Sequence, residues 1–136
     1  MTALTANIGG QPMEVEDSAA VVLGLSNGML CTLQSGYYLD RGYQTEVEIW
    51  GASGWLRIDL KGGKTLTWYS KGQPVKNFSA PADPASANEY PALVQSAVNS
   101  SRGIGTPVVQ ADECLRTLRA VFGAYRAAGT GATQPV

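Results

Sequence analysis

The fold turns on residues 43–60, YQTEVEIWGASGWLRIDL. Residues 43–50 alternate polar with apolar, and residues 55–60 alternate again. Successive side chains of a strand point to opposite faces, so each run has the period of a half-buried strand. Between them, GASG at 51–54 is a tight turn. The segment therefore predicts two neighbouring antiparallel strands. Gln44, Glu46 and Glu48 share one face of the first strand, and Trp55, Arg57 and Asp59 alternate along the second.

The same pattern extends outward in both directions. Upstream, residues 2–8 alternate and are closed by Gly9, Gly10 and Pro12. Residues 18–25, SAAVVLGL, are apolar and rich in β-branched side chains. Asn27 and Gly28 follow, a strong hairpin signal between two apolar runs, and residues 29–37 return. Asp40, Arg41 and Gly42 turn the chain into the segment quoted above. Downstream, turns at 61–63 and 71–72 separate further strands at 64–70 and 75–78. Past a polar, Pro-rich loop at 79–87 the period changes. From Asn88, a plausible N-cap, apolar residues fall at Tyr90, Leu93, Val94, Ala97 and Val98, the stripe of an amphipathic helix. A second helix is predicted over about 111–128, with Cys114, Leu118, Val121, Phe122 and Tyr125 as its stripe and Gly129 and Gly131 ending it. Strands followed by helices indicate an α+β domain: an open-faced, mainly antiparallel sheet with helices packed on one face. The opposite face, with the Glu46, Glu48, Trp55 and Arg57 set, is left open to a partner or ligand.

Composition narrows the function. The chain has 136 residues, the size of one domain, with 44% apolar and 15% charged side chains. Net charge is −1 and no Lys or Arg run is present, which argues against a nucleic-acid partner. No segment has the length and apolarity of a signal peptide or a membrane span, so the expected address is cytoplasmic with no membrane partner. Cys31 and Cys114 fit no disulfide framework and no zinc spacing, and are expected to be reduced core thiols. Histidine is absent, which removes the commonest general base and metal ligand. No catalytic residue and no metal ligand is assigned.

Gly103 with Gly105, and Gly129 with Gly131, form only G-x-G, and neither pair follows a strand that feeds a helix, so no cofactor-binding residue is assigned. Glu46 and Glu48 would stand roughly 7 Å apart on one strand face. That spacing permits a paired acid–base site, but the expected reading is two solvated strand carboxylates near Arg57. Glu14, Glu16 and Asp17 form a charged segment expected to be solvated. Tyr37, Tyr38 and Tyr43 flank one turn together with Asp40 and Arg41. Phenols, a carboxylate and a guanidinium at a sheet end can grip the hydroxyls of a sugar, and they can equally be loop packing with a surface ion pair.

The segment GYQTEVEIWGASGWLRI, residues 42–58, resembles the strand–turn–strand of the glucose–fructose oxidoreductase, inositol dehydrogenase and rhizopine-catabolism (Gfo/Idh/MocA) family. EDSAAVVLGLSNGMLCTLQSG, residues 16–36, is similar to that family's hairpin, and residues 106–136 to its closing helix and tail. The likeness runs from about Leu4 to Val136. Ala127 stands where many members have Ser. The resemblance implies that residues 1–136 are a C-terminal substrate-side and oligomerisation domain. Its N-terminal Rossmann domain, with the site for NAD or NADP and the catalytic residues, would lie upstream. The parent would oxidise or reduce a sugar, polyol or related hydroxyl compound, with this chain alone inactive, and would form a homo-oligomer through the open sheet face. Tyr43 falls where polyol-handling members turn a tyrosine toward substrate, with Tyr37, Tyr38 and Arg41 beside it. The alternative is a free-standing binding or scaffold domain without catalytic activity.

Overall fold

Alternating residues form strands at each of the seven predicted places. They are β1 (Thr2–Ala6), β2 (Ser18–Gly24), β3 (Leu30–Gly36), β4 (Glu46–Gly51), β5 (Gly54–Asp59), β6 (Thr65–Ser70) and β7 (Lys76–Ser79). Helices α1 (Tyr90–Ser101) and α2 (Ala111–Thr130) follow. The computed structural model describes residues 1–10, 12–37, 44–60, 65–79 and 90–136. All strand pairings are antiparallel. The strands form two open sheets, ordered β1-β2-β3 and β4-β5-β6-β7. The α+β reading with open sheets holds, with its strands divided between two sheets. The chain separates into two units, Met1–Asp40 with Ser96–Val136, and Arg41–Gln95.

In the first unit, Ala3, Val21 and Leu33 lie in register across the three strands. Helix α2 packs on β1. Ala3, Val21 and Ala127 form the buried core, with Met1, Leu23, Ala124 and Ala128 packed around it. The face of α2 that packs is thus its small one, Gly123 and Ala127. The large stripe predicted for the contact points elsewhere: Leu118 is 51% and Phe122 57% exposed. Small side chains let a helix backbone approach a sheet closely, and the spacing between packed elements depends on the side chains at the contact. Cys114 is exposed and Cys31 half-buried, so only Cys31 has any of the core character expected of both.

Helix α2 begins with the Glu113 carboxylate accepting from Gln110 N–H at 3.1 Å, half of a capping box. It runs through Gly129 and stops at Gly131, whose φ of 65° supplies the left-handed cap. The chain then returns to its own start. Met1 N donates to Gln134 O at 2.6 Å, and Gln134 N–H to Met1 O at 2.9 Å.

The β2–β3 hairpin closes through three residues. Leu25 N–H donates to Met29 O and Gly28 N–H to Leu25 O, both at 2.9 Å. Gly28 takes φ 86°, as a type I turn followed by a left-handed residue demands.

In the second unit the register sorts the residues by face. Val47, Ile58, Leu66 and Phe78 form one cross-strand row, and Ile49, Leu56 and Trp68 the next. The opposite face carries Glu48, Arg57, Thr67 and Asn77, flanked by Trp50, Trp55 and Tyr69.

Candidate functional site

At the end of the three-stranded sheet the chain places a carboxylate where water does not reach. Asp17 is 3% exposed, the buried charged residue among those described. The expectation of a solvated segment holds for Glu14, which is exposed, and fails for Asp17. A buried carboxylate needs donors, and three converge on it. Ile8 N–H donates to Oδ1 at 3.0 Å, Gly9 N–H to Oδ2 at 2.6 Å, and the Ser18 hydroxyl to Oδ1 at 2.7 Å. Burial alone would raise the carboxyl's pKa. The Ser18 hydroxyl and the two N–H groups outweigh it and hold the group below the usual carboxylate range. Glu14 and Asp17 stand in one acidic segment before β2, and no local signal in the sequence separates the exposed one from the buried one.

Beside it, the Tyr125 hydroxyl of α2 donates to Glu16 Oε1 at 2.6 Å. That hydrogen bond, with the carboxylate's charge, pushes the phenol's pKa up. Glu16 is therefore a helix-to-loop partner and not a free solvated charge.

Of the four predicted substrate residues, Tyr37 is described. Its N–H donates to the Asp17 carbonyl at 2.7 Å, and the residue is 71% exposed. A phenol in that setting can donate to, or accept from, a ligand hydroxyl. Tyr38, Arg41 and Tyr43 lie outside the described residues.

The polar face of the four-stranded sheet is the second cluster. Arg57 donates from Nε to Glu46 Oε2 at 3.0 Å, and its Nη2 contacts the same oxygen. Glu48 Oε1 lies 3.5 Å from Arg57 Nε. The hydrogen bond to Glu46, then the charges around it, raise the guanidinium's pKa further. Glu46 and Glu48 thus share one cation on an exposed strand pair, an arrangement that serves ion pairing. Trp50 and Trp55 stack beside them with centroids 5.7 Å apart and planes tilted 36°.

Among the described residues no group of three or more His, Cys, Asp or Glu could hold a metal. Gly103 and Gly105, with φ of 75° and 76°, join α1 to α2. A dinucleotide turn leads from a strand into a helix, so this loop does not fit the pyrophosphate of a nicotinamide cofactor. No described helix is long and apolar enough to cross a membrane.

Comparison with known proteins gives this arrangement its relatives. The family model of the GFO/IDH/MocA C-terminal domain matches residues 1–57. An aldose–aldose oxidoreductase from Caulobacter crescentus, solved with glycerol, has a similar structure, with a TM-score of 0.77 and 24% identity. That match covers 99% of this chain and 40% of the other. A protein from Thermotoga maritima described as an oxidoreductase matches with a TM-score of 0.76 and 16% identity, over 96% of this chain and 38% of its own. The chain therefore spans about two-fifths of the length of these structures, and what it shares with them is the fold. A search of curated protein sequences found no match.

Proposed function

We propose, from the match of residues 1–57 to the family model of the GFO/IDH/MocA C-terminal domain, that the chain is the substrate-side and subunit-contact domain of an NAD(P)-dependent oxidoreductase acting on a sugar, polyol or related hydroxyl compound. The observation that carries the reading is the structural match over 99% of this chain to 40% of an aldose–aldose oxidoreductase. A nicotinamide cofactor would supply the hydride chemistry from a separate domain. This domain's contribution would be to orient a hydroxylated substrate. Tyr37, with Tyr38, Arg41 and Tyr43, would bind substrate hydroxyls, because phenols and a guanidinium hydrogen-bond them directionally while an aromatic ring packs on the sugar's C–H face. The open sheet face bearing Trp50 and Trp55 would join subunits of a cytoplasmic homo-oligomer.

The test has two steps. Reading the coding sequence upstream of Met1 should reveal a continuous frame with a G-x-G-x-x-G turn. The full-length protein should then reduce NAD or NADP with at least one member of a panel of aldoses and polyols, followed by absorbance. A stop codon upstream, or no turnover across the panel, would reject the reading in favour of a free-standing binding domain.

A further inference from the structure

Asp17 occupies a position in the sheet that its charge does not explain. Its N–H donates to Ala6 O at 3.1 Å, and its own carbonyl accepts from Tyr37 N–H at 2.7 Å. The residue is the last rung of the three-stranded ladder, bonded to the end of β1 on one side and to the residue after β3 on the other. Its carboxylate is meanwhile held by Ile8 N–H, Gly9 N–H and the Ser18 hydroxyl. A side chain held at three points cannot rotate, and the peptide it belongs to is held with it. Tyr37 is the next link, with its ring in solvent. An exposed side chain is only as well placed as the backbone beneath it, and a ligand contact loses strength when its residue wanders.

We infer that Asp17 is a positioning residue: the clamped carboxylate fixes the carbonyl that receives Tyr37, and so sets where the Tyr37 hydroxyl meets a substrate hydroxyl. The inference rests on the reading of Tyr37 as a substrate contact. An apolar side chain here would leave the Ile8 and Gly9 N–H groups without an acceptor, so the carboxylate's directed bonds are what hold this corner of the sheet. Ser18 belongs to the same device, because its hydroxyl is the one side-chain donor to the carboxylate among the described residues.

The experiment uses the full-length protein, with glucose, xylose, glycerol and inositol as probes and either nicotinamide nucleotide. Asp17→Asn keeps the shape but turns one acceptor into a donor facing N–H groups. It should raise KM by about three- to tenfold with kcat within about twofold, the size expected for one weakened hydrogen bond. Tyr37→Phe should do the same, and the double variant should be no worse than the more affected single one, since both remove one contact. Should Asp17→Asn not fold, Ser18→Ala, which removes a single donor and leaves the two backbone ones, should still raise KM. A raised KM in Tyr37→Phe with KM unmoved in the Asp17 and Ser18 variants overturns the positioning role and leaves the substrate reading standing. A lowered midpoint with KM unmoved shows that Asp17 is structural only, and also overturns it. No effect of Tyr37→Phe, or no turnover of any probe by the wild type, overturns both.

Discussion

Gly54 has no room for a methyl group. A Cβ built there would lie 2.0 Å from the Tyr69 carbonyl oxygen, and its φ of 156° is one that L side chains rarely adopt. The obstacle is paired backbone, which cannot swing aside. Gly54→Ala should therefore destabilise the fold by more than about 1 kcal/mol, read as a lowered denaturation midpoint. Gly72→Ala, at φ 77° but in open space, should cost about 1 kcal/mol of backbone strain and no more. Asp17 makes a prediction in pH. Its folded pKa lies below its ordinary value, so the unfolded chain takes up the proton first. The stability it contributes is fully present above about pH 4, the unperturbed carboxylate range, and is lost as pH falls through the folded value. In acid denaturation the wild-type midpoint should fall more steeply than that of Asp17→Asn over this window; parallel profiles would contradict the assignment. Under the proposed role, Tyr43→Phe in the full-length protein should cost about 0.5–1.5 kcal/mol in kcat/KM with the midpoint almost unchanged. Unchanged kinetics with a lowered midpoint would mark a packing residue instead. At this scale the sequence showed which residues bear chemistry, but not which are buried. Asp17 and Glu14 look alike in the string, and burial depends on what the rest of the chain brings within hydrogen-bond reach.

At the scale of elements, α2 is the informative case. Its periodicity, its acidic first turn at Asp112 and Glu113 and its terminal glycine are local properties, and the helix formed where they said it would. The packing face is not local. The helix has two apolar sides, one of large residues and one of Gly123, Ala124, Ala127 and Ala128, and a hydrophobic stripe alone does not say which meets the sheet. Ala3 on β1 and Val21 on β2 present a shallow surface that a small-residue face matches. Ala127→Leu should then overpack a site that is 1% exposed and destabilise by about 1–3 kcal/mol. Leu118→Ala, on the outward side, should cost under about 1 kcal/mol in the isolated chain, well below the 2–5 typical of a buried leucine. Thermal or urea denaturation of the two variants checks the pair. The reverse order would mean that the large stripe carries the packing in solution. The same limit applied to the strands: all seven were legible because alternation is a local signal, whereas their division into two sheets depends on how separate hairpins associate.

At the scale of the whole molecule, the second unit's sheet has two distinct faces. One is apolar, with Val47 42% and Ile49 50% exposed; the other carries the Glu46–Arg57–Glu48 cluster and the paired tryptophans. Exposed apolar and aromatic area of this kind marks interaction surfaces. Under the proposed role, light scattering should show a dimer or larger at micromolar concentration, and Trp50→Glu should shift it toward monomer; a strict monomer would argue against the interface. The sequence by itself determined the strand and helix order, the α+β class and the turns, because each rests on neighbours within a few residues. It also carried the family likeness, since motif order and spacing survive in the string. Only the tertiary structure decided that Asp17 is buried and clamped, that α2 packs through its alanines, and that Met1 pairs with Gln134. The α2 and Met1 contacts join residues from opposite ends of the chain, and the Asp17 clamp joins the start of β2 to the loop after β1; which of these groups meet is settled by packing, not by neighbours in the string.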